Sequence, residues 1–184
     1  VTLLVSPDAS PQEPFLCEVI RSSKEILAEQ FQADLLWRDR WTGESSISPL
    51  IAAAETALVA GAEASMLLDS VWFNLEDNSE VAEHLNSFAA KRDLRGEARL
   101  MDLSGPISTL HNKGLVSDRL ATLVSSNNWV RSSFAENREL AVLAHSSELA
   151  EYFTAAFELD WEPDSEAPTA NAGPDLRVSV GEPA

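Results

Sequence analysis

In the stretch 110–143, two apolar runs, 114–117 and 120–125, are separated by little more than Asp118 and Arg119. Runs of that length split by a polar pair predict a β-hairpin. A further run over 138–144 predicts another strand close behind. No other stretch constrains the fold as tightly, because a hairpin imposes antiparallel pairing on the sheet that contains it. Elsewhere strands and helices alternate. Phe15, Leu16, Val19 and Ile20 recur at helical spacing over 11–23, with Pro11 suited to a first turn, and 26–31 reads as a strand. The polar stretch 32–47, with Trp37 and Trp41, reads as a long loop. Pro49 opens a helix over 49–60, with Gly61 at its C-cap. A buried strand over 65–68 is closed by Asp69 and Ser70, and a helix over 79–91 carries Val81, Leu85 and Phe88 on one face. A strand over 98–103 and a Ser-capped helix over 147–159 complete the pattern. The expected architecture is an α/β sandwich, a mixed β-sheet flanked by helices.

The chain has 184 residues, enough for one domain with a proper core. No apolar run approaches the eighteen or so residues that would span a bilayer. The chain starts at Val1, which suggests an excised or processed piece of a longer protein. Thirty acidic residues face thirteen basic ones, a net charge of −17, and only Lys24, Lys91 and Lys113 are lysines. Such a field repels polyanions at ordinary salt, and it also suits a high-salt habitat, where screening blunts the repulsion. Cys17 is alone, so no disulfide forms within the chain, and its apolar neighbours predict a buried small hydrophobe. After Trp161 the composition turns to Pro, Ala and acidic residues, which marks a linker over 162–174. The segment 170–184, ANAGPDLRVSVGEPA, resembles the opening strand of Ig-like repeats of the polycystic-kidney-disease type. The expected organisation is a domain over 1–161, then a linker and the start of a truncated repeat over 162–184. That resemblance implies an extracellular parent protein.

The same hairpin region carries the chemistry. Written as a pattern it reads H-x-K-x4-D-x6-S-S-x-N, with Glu139 thirteen residues after Ser126. His111 and Lys113 are two apart, so on an extended segment both point to one face. Asp118 falls in the hairpin turn, where a structural role competes with one at the site. Ser126 and Asn128 follow the second strand, and Glu139 opens the next one, within reach of an imidazole. A nucleophile, an ammonium, a hydroxyl, an amide and carboxylates are the parts of a phosphate-ester site that works without metal. No group of His, Cys and carboxylates has metal-ligand spacing, so neither a metal nor a cofactor is expected.

The chain resembles the phospholipase D superfamily in this motif, in LVSPDAS and SSKEIL near the start, and in AAETALVAGAEASMLLDS. The resemblance covers residues 1–161. Ser125 departs from the glycine that many members carry there. It implies that His111 attacks phosphorus to form a phosphohistidine, while Lys113, Ser126 and Asn128 hold the phosphate oxygens. It further implies that Glu139 orients the imidazole, and it makes Asp118 a candidate catalytic residue. The mechanism uses two such histidines, whereas His84 and His145 lack the motif and read as surface residues. A second H-x-K-x4-D domain is therefore expected, from a homodimer mate or, the favoured origin, an upstream half of the parent protein. The substrate expected is a phospholipid, hydrolysed or transferred to an alcohol, with Trp37, Trp41, Trp72 and Phe73 lining an apolar approach. A nuclease using Arg119, Arg131 and Arg138 is the alternative, and a non-catalytic scaffold of a secreted protein is another.

Overall fold

The computed structural model describes residues 1–7, 12–105 and 107–162. The expected Pro11 turn, most of the linker and the Ig-like segment lie outside them. In chain order the elements are β1 (Thr2–Ser6), α1 (Gln12–Ser22), β2 (Glu25–Gln30), β3 (Leu36–Arg38) and β4 (Ser45–Ile47). They continue with α2 (Pro49–Val59), β5 (Glu63–Leu68), α3 (Leu75–Ala90) and β6 (Gly96–Leu100). The last are β7 (Lys113–Ser117), β8 (Ala121–Ser125), α4 (Arg131–Ala135), β9 (Glu139–His145) and α5 (Ser147–Trp161).

Seven strands form one mixed sheet in the order β1-β9-β8-β7-β2-β5-β6. β2, β5 and β6 run parallel, while β1, β9, β8, β7 and β2 pair antiparallel in succession. The mixed α/β sandwich is therefore as the patterning implies. Helices α1, α2 and α3 supply one layer of core against Ile26, Ala28, Met66, Leu115 and Leu123, and α5 covers part of the other face over Leu27, Leu67 and Val116. Coverage explains the strand patterns. β2 lies at the centre with both faces covered, and Ile26, Leu27 and Ala28 are buried in succession. In β9, near one end of the sheet, Ala141 and Leu143 are buried while Leu140 is exposed, the alternation of a half-covered strand. α2 presents Ala53, Ala54 and Ala57 to the core, small side chains that let it approach closely. It ends as expected at Gly61, which adopts φ +98, a conformation open to glycine without steric cost.

Several elements differ from the sequence reading: β6 spans Gly96–Leu100 rather than 98–103, and the short helix α4 has no counterpart in it. The stretch 32–47 is not a loop throughout, since β3 and β4 form a separate two-stranded sheet. The Asp39 carboxylate accepts from the Trp41 and Thr42 amides, and Gly43 turns at φ +74, so polar turn chemistry rather than apolar alternation holds it. α3 starts at Leu75 rather than Ser79, because Asn78 occupies a fully buried position and interrupts the apolar spacing.

Candidate active site

One end of the sheet gathers the C-termini of β2, β5 and β8 and the N-termini of β7 and β9. Register places Lys113 beside Gln30, and the Phe31 amide donates to the Asn112 carbonyl at 2.9 Å, extending that pairing past the strand end. Next to them, Ser126 bonds β9 twice: its amide donates to the Leu140 carbonyl and its hydroxyl accepts from the Leu140 amide. Three residues on, the Trp129 amide donates to the Gln32 carbonyl at 2.9 Å. The loop carrying Ser126 and Asn128 therefore bridges β9 to the segment after β2, across the start of β7. His111, Lys113, Ser126, Asn128 and Glu139 thus share one edge, as their spacing implied. Asp118 is brought elsewhere, into the turn at the opposite end of β7.

Within the group the contacts are specific. Lys113 Nζ lies 3.3 Å from His111 Nδ1 and donates to the His111 carbonyl at 2.9 Å. Burial lowers the Lys113 pKa from its ordinary value, while the carboxylates of Glu139 and Asp69 oppose that shift. The Ser126 hydroxyl donates to Glu139, and the Asn137 amide donates to the other Glu139 oxygen at 3.3 Å. Glu139 is thus engaged by Ser126 and Asn137 rather than by the His111 ring. The Asn128 side-chain oxygen is buried and has no hydrogen-bond partner. Gly114, between the motif and the core of β7, admits no side chain: a Cβ there would lie 2.4 Å from the Leu123 carbonyl oxygen. The close pairing of β7 with β8 depends on that position.

The spacing did not reveal Asp69 as a support. Its buried carboxylate accepts from the Leu110 amide at 2.7 Å and the Val71 amide at 2.9 Å, which anchors the chain just before His111. The Asn78 amide donates to the Asp69 and Phe31 carbonyls and its oxygen accepts from the Ala33 amide, tying the ends of β5 and β2 to α3. The available signal was an acidic residue directly after the apolar run of β5.

Aromatic rings lead up to this edge. The Phe31 ring lies 4.5 Å from His111 and takes the Lys113 ammonium at 4.5 Å. Phe73 meets Phe31 edge-on at 5.9 Å, and Trp72, 84% exposed, meets Phe73 at 5.3 Å. Of the four aromatics expected along an approach, Trp72 and Phe73 adjoin the site. Trp37 is buried against Phe134 instead, and Trp41 stands exposed in the β3–β4 turn. The remaining histidines lie apart: His84 on α3 bonds Glu55 on α2 at 2.7 Å, and His145 ends β9 at the end remote from Glu139. Among the described residues there is no group of three or more His, Cys, Asp or Glu arranged to hold a metal ion, and no helix long and apolar enough to cross a membrane.

The family model described as cardiolipin synthase, PLD-like domain, matches residues 42–161. The chain belongs to this phospholipase D-like family. Among solved structures it is similar to Nuc, a phospholipase D family member from Salmonella typhimurium, at 18% identity and TM-score 0.64, covering 87% of this chain and 92% of that one. It is also similar to NucT from Helicobacter pylori, at 14% identity and TM-score 0.66, covering 88% and 94%. Phosphatidylserine synthase from Haemophilus influenzae Rd KW20 matches at 14% identity and TM-score 0.62, over 83% of this chain but 37% of that larger one. At such identities the likeness is one of fold. No curated protein matches the sequence significantly.

Proposed function

We propose that this domain is a metal-independent phosphodiesterase that works through a phosphohistidine at His111, with phospholipid as its substrate. The observation that carries the reading is the convergence of His111, Lys113, Ser126, Asn128 and Glu139 on one sheet edge. A neutral His111 ring nitrogen attacks phosphorus and forms an N–P bond as the P–O bond to the leaving group breaks. Lys113 and Asn128 offer N–H donors to the non-bridging oxygens, whose charge grows in the transition state, and Ser126 adds a hydroxyl contact. Glu139 fixes that hydroxyl and offsets the burial of the Lys113 ammonium. A second histidine protonates the leaving oxygen, then deprotonates the water or alcohol that releases the phosphoryl group.

That second histidine belongs to another H-x-K-x4-D domain, a second copy or an upstream half of the parent protein. The exposure of His111 and Ser126 on an open edge suits a shared site. The exposed Trp72 and Phe73 beside Phe31 favour an amphiphilic substrate, since aromatic rings tolerate an apolar–water boundary. Charge supports the same choice. Of the residues expected to line a nucleic-acid groove, Arg119 lies in the turn at the opposite end of β7 and pairs with Glu25 and Glu158, and Arg131 pairs with Glu136. The tail's resemblance to Ig-like repeats favours an extracellular setting, which localisation of the full-length parent protein checks.

The test is a paired assay of phosphatidylcholine and single-stranded DNA, with chelator present, at low and high salt, using wild type and His111→Ala. Lipid cleavage lost with His111 and absent on DNA is the expected result. Preferential DNA cleavage would replace the substrate, and equal activity of the variant would remove His111 from the chemistry. Light scattering, together with mixing of the domain and its upstream half, separates a homodimer from a duplicated chain.

A further inference from the structure

On the α5 face of the sheet a cavity of about 240 Å³ lies between α5 and the β7–β8 hairpin. Leu27, Val116, Phe153 and Phe157 give it apolar walls, and His111, Asn112 and Lys113 line it as well. Two lining residues carry a buried polar atom to which nothing donates. The Thr122 hydroxyl belongs to a residue 1% exposed and has no partner, and Glu29 Oε1 receives no hydrogen bond, the Glu29 carboxyl meeting only the Asn112 amide and the Asp160 carboxyl. Buried polar groups are ordinarily hydrogen-bonded, so each such orphan calls for an explanation, and a hydroxyl and a carboxyl oxygen left so in one cavity point to a ligand.

The charge of that ligand follows from the carboxyls. Glu29 Oε2 accepts from the Asn112 side-chain amide, and the Asp160 carboxyl on α5 lies within hydrogen-bonding reach of the Glu29 carboxyl. The groups that set the acidity of Glu29 are its burial, Asn112 and Asp160; burial pushes it up to about 7 and pushes Asp160 upward as well. Two half-buried carboxyls in contact share one proton, and both ionise cheaply only where a cation joins them. An ammonium group meets that need, and the distance from Glu29 on β2 to Thr122 on β8 requires a spacer of several methylenes.

We propose that this cavity binds a short aliphatic amino alcohol, its ammonium on Glu29, its hydroxyl on Thr122, and its methylenes against Leu27, Val116, Phe153 and Phe157. Occupancy would be felt at the candidate active site. Asn112 stands between His111 and Lys113, and a fully ionised Glu29 holds its amide more strongly, fixing the segment that carries both side chains. The binding half of this inference is independent of the phosphodiesterase reading.

Calorimetric titration of the whole chain at pH 8 tests it, with 5-amino-1-pentanol, pentylamine and 1-pentanol as probes. Saturable one-to-one binding of the amino alcohol is expected, with 1-pentanol at least about tenfold weaker. Glu29→Gln should weaken amine binding by about tenfold or more, while Thr122→Val should weaken the amino alcohol alone and leave pentylamine unchanged. Ser126→Ala, at the candidate active site but outside the cavity lining, should bind as wild type does, which separates failure of this site from failure of the catalytic reading. Should Glu29→Gln not fold, nuclear magnetic resonance on the wild type decides, since the Asn112 side-chain amide must shift with the amino alcohol. Absence of saturable binding, equal binding of 1-pentanol, or shifts that map away from Asn112 and the cavity would each overturn the proposal.

Discussion

The two ends of the β7–β8 hairpin differ in how completely their polar groups are used. At the turn, Asp118 and Arg119 both adopt φ +54, a conformation unfavourable for residues with a Cβ. That cost is offset locally: one Asp118 oxygen accepts from the Lys24 and Glu25 amides at 2.6 and 2.9 Å, and Arg119 bridges Glu25 and Glu158. At the other end, His111 and Ser126 are exposed, the Asn128 oxygen has no partner, and Lys113 is held by the carbonyl and ring of its own neighbour. One contiguous motif therefore divides by position along a strand. Its start is left available for a ligand, while its aspartate is spent on holding the hairpin to the end of α1 and the start of β2. A five-residue strand separates them by roughly 17 Å, too far for one phosphate to touch both.

The comparison breaks most visibly at His111. His111→Ala is expected to lower phosphodiester cleavage by at least about 10³-fold while the melting temperature stays put, since the side chain is exposed. Asp118→Ala should do the reverse. Leaving the Lys24 and Glu25 amides without their acceptor costs about 1–2 kcal/mol in denaturant titration, with the activity of folded protein within about threefold of wild type. Loss of activity in a folded Asp118→Ala protein would instead return Asp118 to the chemistry.

A subtler effect concerns pH. The folded-state pKa of Glu29 is raised from 4.5 to about 7 and that of Asp34 from 3.8 to about 6, in both cases chiefly by burial. A raised carboxyl pKa means that the folded state binds more protons, so stability is greatest below the unfolded value and declines as pH rises through the folded one. Thermal melts between pH 4.5 and 7 should show that decline, and Glu29→Gln should flatten its upper part. An unchanged slope would exclude burial of a protonated Glu29. The smallest effect is expected at Arg119, which is 51% exposed: Arg119→Ala should cost below about 1 kcal/mol, and less at high salt. A larger loss would mean that the turn depends on this ion pair as well as on Asp118.

Much of the fold was legible because hydrophobic periodicity reports coverage. β2, β5, the β7–β8 hairpin, α1, α2 and α5 stand within a few residues of where the apolar spacing places them. The β3–β4 sheet was not legible, since its strands are three residues long and held by the Asp39 turn. The start of α3 was hidden by Asn78, a polar residue buried to serve the carbonyls of Phe31 and Asp69. Asp69 read as the close of a strand, and nothing local announces that its carboxylate holds the Leu110 amide, a contact across forty-one positions.

For the site, the sequence by itself determined which groups are available and that His111 and Lys113 share a face, because strand periodicity is a local property of the backbone. The gathering of Ser126 and Glu139 at the same edge followed from hairpin pairing, which is nearly local too. Tertiary structure alone decided that Glu139 bonds Ser126 rather than His111, that Asp118 serves the turn, and that Phe31, itself against Phe73, rather than Trp37 reaches the histidine. It also decided that Thr122 and Glu29 face one cavity. Such contacts depend on which strands become neighbours and which face a helix leaves uncovered, and both are set by packing between segments distant in the chain.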